Sequence, residues 1–168
     1  MSSTGEVACF GDDIYEAFLK SQLATGIHFP KKSVFVSVGG DESKARFLET
    51  AETLKKLGLK IYATSGTAAY LLSHGILSTT LFKIHENKTP TILDYLTNKK
   101  VDMVINIFDP YEAMQTGDGY RIRRASLDFG IPLLTNLQTA ELFVRALLGK
   151  KLEDLKALSW DHYVKNSD

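Results

Sequence analysis

The sequence has one cysteine, Cys9, in 168 residues. A lone thiol excludes an internal disulfide and any site built from several thiolates, and it fits a reducing cytoplasm. Net charge is also missing, because Lys plus Arg and Asp plus Glu both number 20. That balance argues against non-specific binding to nucleic acid or an anionic membrane surface, while leaving room for a local basic pocket. No apolar run approaches the roughly 20 residues of a membrane span. The N-terminal MSSTGEVACFG lacks a basic flank followed by an apolar stretch, so no export signal is expected in it. His28, His74, His85 and His162 are scattered without metal-ligand spacing, and no Ser-His-Asp or Cys-His set can be assembled from spacing. Repeats and low-complexity segments are absent too.

What remains is ordinary for a globular chain: 44% apolar and 24% charged residues, enough for one well-filled core. Its organising stretch is Tyr62-Ala63-Thr64-Ser65-Gly66-Thr67-Ala68. A short apolar run ends there in three hydroxyls and a glycine, and a helical pattern (Ala68, Ala69, Leu71, Leu72) takes over at once. Glycine allows the tight turn, and Thr64, Ser65 and Thr67 are candidate caps. The first amides of a helix have no internal partners and carry the positive end of its dipole, so the same residues are a candidate seat for phosphate or carboxylate.

Before that stretch, residues 1–30 read as an extended segment and a helix from Ile14 to Ala24 ended by Gly26, then a polar, Pro-broken linker. Ile14, Tyr15, Ala17, Phe18 and Leu23 have few partners within this segment. From Ser33 the pattern turns regular. Strands are expected at Ser33–Val38, Leu59–Ala63, Thr79–Ile84, Val101–Phe108 and Ile131–Leu134, the fourth being the most apolar and hence central. Helices are expected from Ser43 to Gly58, Thr67 to His74, Pro90 to Asn98, Tyr120 to Phe129, and Asn136 to Leu148. Alternation of this kind implies right-handed crossovers and a mostly parallel sheet covered on both faces, an α/β fold. The charged tail after Lys150 is expected to pack back as a short helix, with Leu152, Leu155, Leu158 and Trp160 as anchors.

Ligands of such sheets bind beyond the carboxyl ends of the strands. Reading off those ends collects Gly39, Gly40 and Lys44, then Thr64, Ser65, Gly66 and Thr67, then Lys83, then Asn106 with Phe108, Asp109 and Pro110. Two lysines flanking a hydroxyl-rich helix start favour anion binding over two unrelated surface charges. Arg121 and Arg124 share a helix face, either solvated or, with Arg123, reaching a phosphate or an acidic partner.

Together MSSTGEV, ATSGTA, FKIHE, VINIFD and YRIRRASLDFGIPLLTN resemble the C-terminal end of the carbamoyl-phosphate synthetase large subunit, over Met1 to about Leu148. The resemblance implies that residues 1–30 end an ATP-grasp synthetase unit and that residues 31–168 form a regulatory domain. The implied fold is the methylglyoxal synthase-like three-layer sandwich with a five-stranded, mostly parallel sheet. It implies a cytoplasmic effector-binding domain that performs no chemistry and holds no cofactor, while the parent ligase uses ATP with Mg or Mn. The implied effector is a nucleotide, UMP or IMP. Lys44, Thr64, Thr67, Lys83 and Asn106 would contact its phosphate and ribose, and Ser65 and Gly66 would supply backbone. Ornithine would bind near the junction with the synthetase unit, where Thr135 matches a family contact. The implied protein partners are the rest of the large subunit and the glutaminase small subunit, with no nucleic acid or membrane. Phe108 replaces a hydroxyl of bacterial members, and the loop from Asp109 to Gly119 is longer. Lys83 favours a nucleotide over N-acetylglutamate, the effector of the urea-cycle relative.

Two other classes compete. Methylglyoxal synthase has this fold and eliminates phosphate from dihydroxyacetone phosphate. Asp109-Pro110, Glu112-Ala113 and the ATSGT turn resemble it, but the loop Ile84-His85-Glu86-Asn87-Lys88-Thr89 lacks its Gly-Gly-Asp, and Thr116 stands in place of its histidine. The third class is an interaction module whose pocket binds nothing.

Overall fold

Ser33–Val38, a run of β-branched and aromatic residues, becomes β1, the middle strand of the sheet. The computed structural model describes residues 7–108 and 117–165. Along these, α1 is Ile14–Ala24, α2 Asp41–Lys56, β2 Lys60–Ala63, α3 Ser65–Ser73, β3 Thr79–Thr80 and α4 Ile92–Thr97. Then come β4 Met103–Ile107, α5 Asp118–Asp128, β5 Leu133–Leu134, α6 Leu137–Gly149 and α7 Trp160–Lys165. The first motif, MSSTGEV, falls outside the described residues apart from Val7. Asp109, Pro110, Glu112, Ala113 and Thr116 also fall outside them.

The chain divides into two compact units. One is Phe29–Glu141; the other joins Met1–His28 to Leu142–Asp168. In the first, five strands pair in the order β3-β2-β1-β4-β5, and every pairing is parallel. The direction of winding therefore reverses between β1 and β4. The expected central strand is β4, but it lies beside the centre. Its five residues are nonetheless all buried, as parallel strands covered on both faces require.

Alternation along the strands sends side chains to two cores. Phe35, Tyr62 and Val104, register neighbours across β2-β1-β4, pack with Leu81, Ile92, Leu96, Ile122 and Ile131 under α4 and α5. Val34, Val36, Ile61, Ala63, Met103 and Ile105 are buried on the opposite face, where α2 and α3 lie. Helix, sheet, helix is the three-layer α/β arrangement.

Two expectations change. The third strand stops at Thr80 instead of Ile84, because the backbone beyond it finds other partners. The Phe82 amide donates to the Pro90 carbonyl and the Lys83 amide to the Glu86 carboxylate, and Ile84–Glu86 forms a 3-10 turn. Pro90 does not open α4, since Thr91 and Asp94 form a reciprocal capping box one residue later. The chain entering β1 is tied to the sheet. The Asp102 carboxylate accepts the amides of Lys31, Lys32 and Ser33 at 3.0, 2.5 and 3.0 Å.

In the other unit, Asp13 caps α1, whose bounds match the expectation. Glu16 pairs with Lys20 at 2.6 Å, and Lys150 reaches Asp13 at 2.9 Å. The tail does fold back here: Tyr163 takes the Lys20 ammonium at 3.0 Å, and Phe10 meets Trp160 edge-on at 4.9 Å. Trp160, Leu152 and Leu158 stay largely exposed, so these expected anchors are not buried ones. Among the described residues no helix is long and apolar enough to cross a membrane.

Candidate functional site

β2 ends at Ala63, Thr64 continues with extended backbone, and α3 begins at Ser65. The Ala68 amide closes the first helical bond on the Thr64 carbonyl at 2.7 Å. Amides earlier than Ala68 have no helical acceptor. Nor does the Thr64 side chain cap them. Its hydroxyl donates instead to Thr67 Oγ1 at 3.1 Å, and that oxygen also accepts the Val38 amide at 3.1 Å. The hydroxyls thus brace the turn against β1, and the capping reading gives way.

A cavity of about 330 Å³ opens in front of this helix end. Ser37 and Val38 line it from β1, Lys44 from α2, Thr64 to Thr67 from the turn, and Lys83, His85 and Glu86 from the segment after β3. Six of the seven residues nominated for the nucleotide, Lys44, Thr64, Ser65, Gly66, Thr67 and Lys83, therefore share one wall. Gly66 leaves open space where a side chain would start, so close approach of a ligand to its backbone meets no obstacle. Lys44 is 3.1 Å from Asp41, an exposed pairing of little energetic weight.

Asn106 is not in that wall. It pairs in register with Ser37, which puts both on one sheet face, and it is 2% exposed. Its amide nitrogen has no hydrogen-bond partner among the described residues. Asp118 Oδ1 and Arg123 Nη1 are in the same condition. The Asn106 and Arg123 side chains both approach Gly119, and the guanidinium lies 5.5 Å from the Phe108 ring centre. Arg121 and Arg124 stay on the exposed face of α5, where Arg124 pairs with Asp128. Thr135 is exposed just beyond β5, away from the cavity wall.

Three residues in or behind the wall were not nominated from sequence. His85 Nδ1 meets the buried Asp118 Oδ2. Glu86 accepts the Ser65 hydroxyl at 2.8 Å and the Lys83 amide at 3.0 Å. Burial pushes the Glu86 carboxyl up, but the Lys83 amide and Ser65 hydroxyl outweigh it, and the net shift is downward. The signal available was Glu86 three residues after Lys83, the spacing of a 3-10 turn. For Asp118 the signal was its place directly after a glycine at a helix start.

The MGS-like domain model matches residues 46–135, from within α2 to the end of β5. The chain belongs to this family. The matched part of the MGS-like domain contains the Thr64–Thr67 turn, Lys83, His85 and Glu86, with Lys44 just before it. The chain is 37% identical over 161 residues to the multifunctional protein CAD of Squalus acanthias, covering 88% of this chain and 7% of that protein. It is 37% identical over 162 residues to the mitochondrial carbamoyl-phosphate synthase (ammonia) of Homo sapiens, covering 94% of this chain and 11% of that one. The chain thus spans between 7% and 11% of the length of these two relatives. The solved methylglyoxal synthase of Elizabethkingia anophelis NUHP1 superposes with a TM-score of 0.56 over 83% of this chain and 95% of its own, at 17% identity, which is a likeness of fold.

Proposed function

We propose that this MGS-like domain is the effector-binding part of a carbamoyl-phosphate synthetase. The cavity would take the phosphate of a nucleoside monophosphate, UMP or IMP. The parent protein would make carbamoyl phosphate from bicarbonate, glutamine or ammonia, and ATP with Mg or Mn, with the glutaminase subunit as a partner. The proposed compartment is the cytoplasm. The human relative is named as mitochondrial, so imaging of the tagged full-length protein tests that assignment. The relatives support the synthetase context.

The observation that carries effector binding is the uncapped start of α3, open to a cavity that also holds Lys44 and Lys83. Helix-start amides and two ammonium groups complement a phosphate. Asp118 holds His85 through one carboxylate oxygen; its other oxygen and the Asn106 amide are an acceptor and a donor without a partner among the described residues. Buried polar atoms without partners are rare, and this pair suits the hydroxyls of a ribose. Ornithine is proposed at Thr135, with its acidic partners on the parent protein.

Calorimetric and thermal titration with UMP, IMP, inorganic phosphate, ornithine and N-acetylglutamate tests the proposal. Ligand at ~100 times its Kd should stabilise the fold by ~2.7 kcal/mol. Saturable UMP or IMP binding is the expected result. Binding of neither nucleotide nor phosphate overturns it.

A further inference from the structure

Glu86 borders the cavity in which the ligand's anion is proposed to sit. One carboxylate oxygen accepts the hydroxyl of Ser65, the first residue of α3; the other accepts the Lys83 amide. Both donors and the carboxylate line the same cavity as the Lys44 side chain. A helix-start hydroxyl and a backbone amide held by one carboxylate reproduce, with protein atoms, the contacts of a small oxyanion.

We infer that Glu86 is an internal occupant of the anion seat, displaced when a phosphate enters, and that its departure carries His85 away from Asp118. This rests on the reading of the cavity as a phosphate seat. Protonation does not release the carboxylate near neutral pH, since its donors hold it below its ordinary value of 4.5. Replacement does: a phosphate monoester carries up to nearly two charges against the carboxylate's one, and it offers three acceptor oxygens. The segment that moves is short. Ile84–Glu86 is a single 3-10 turn whose own bond runs from the Glu86 amide to the Lys83 carbonyl at 3.1 Å. His85 on that turn touches Asp118, the first residue of α5, so occupancy of the seat is read out at the start of a second helix. A ligand that binds the displaced state better than the occupied one shifts the balance by its differential affinity.

The test uses the whole chain at pH 8 with inorganic phosphate, comparing wild type with Glu86→Gln. Removing the resident charge is expected to tighten phosphate binding about tenfold, equivalent to about 1.4 kcal/mol. Through-space repulsion alone would also tighten binding, so the His85 ring resonances are followed in parallel. Displacement moves them as phosphate saturates the wild type, and Glu86→Gln starts part-way to the shifted position. Phosphate binding that is equal or weaker in Glu86→Gln overturns the inference. So do His85 resonances that stay put while phosphate saturates the wild type, a result that needs no variant. If neither protein binds phosphate, the reading of the cavity fails and takes this inference with it.

Discussion

The Thr67 hydroxyl joins α3 to the end of β1: it accepts the Val38 amide at 3.1 Å and stands 3.4 Å from the Val38 carbonyl oxygen. Thr67 is 3% exposed, so its hydroxyl is committed to the protein more than to the cavity. Thr67→Ala leaves a buried amide without an acceptor, which costs about 1–3 kcal/mol. Urea unfolding should show that loss, and Thr67→Ser should recover most of it. Phosphate affinity should fall with the stability in Thr67→Ala, because the turn that presents the α3 amides is no longer braced.

Lys83→Ala tests the charge instead of the brace. Loss of a charge-assisted contact to phosphate is expected to weaken UMP or IMP binding by about 1.5–3 kcal/mol. Calorimetry on Lys83→Ala and Thr67→Ala decides the matter. Unchanged affinity in both variants would sink the assignment of the site.

Gly66→Ala tests whether a ligand approaches the backbone of this turn. Open space surrounds the position a methyl group would take, and Gly66 lies in the first turn of α3. Alanine in a helix is favoured over glycine by roughly 0.5–1 kcal/mol. The variant should therefore melt at a higher temperature while binding phosphate more weakly, because the methyl group narrows the approach to the backbone. A variant that is more stable and binds as tightly as wild type would mean that no ligand touches this turn.

The helices were legible because their stops are chemical: Gly58 and Gly130 take left-handed backbone (φ 74° and 66°), separated by a single residue from the ends of α2 and α5. The cavity wall was legible wherever local spacing decides it, as in Thr64 to Thr67. What failed was long-range. The register and order of the strands put β1, not β4, in the middle, which no local pattern encodes. The third strand was overextended because its apolar run continues to Ile84, whereas a glutamate side chain takes the amide the ladder needs. The meeting of His85 with Asp118 joins residues 33 apart in sequence, brought together only by the packing of α4 and α5 over one sheet face.

Acid should loosen the unit that contains α1 before the neutral charge balance of the chain would suggest it. The hydrogen bond from Lys20 is the main reason the Glu16 carboxyl lies below its ordinary value of 4.5. The Glu16 amide, helped by Lys150, holds Asp13 below 3.8. A carboxyl with a depressed value in the folded state adds stability that is present above its ordinary value and is lost as pH falls through the folded one. The loss should thus begin near pH 4.5 and deepen below it. Burial lowers Lys20 but Glu16 and Tyr163 raise it above 10.5, and Asp13 raises Lys150, so at the alkaline end the same pairs are lost only as pH rises beyond that value. Trp160, the one tryptophan, sits against Phe10 in this unit, so its fluorescence reports the transition directly. Glu16→Gln should be less stable at pH 7 and show a shallower dependence on pH below 4.5. Identical acid curves for the two proteins would remove Glu16 from the account and leave Asp13 as the group that titrates.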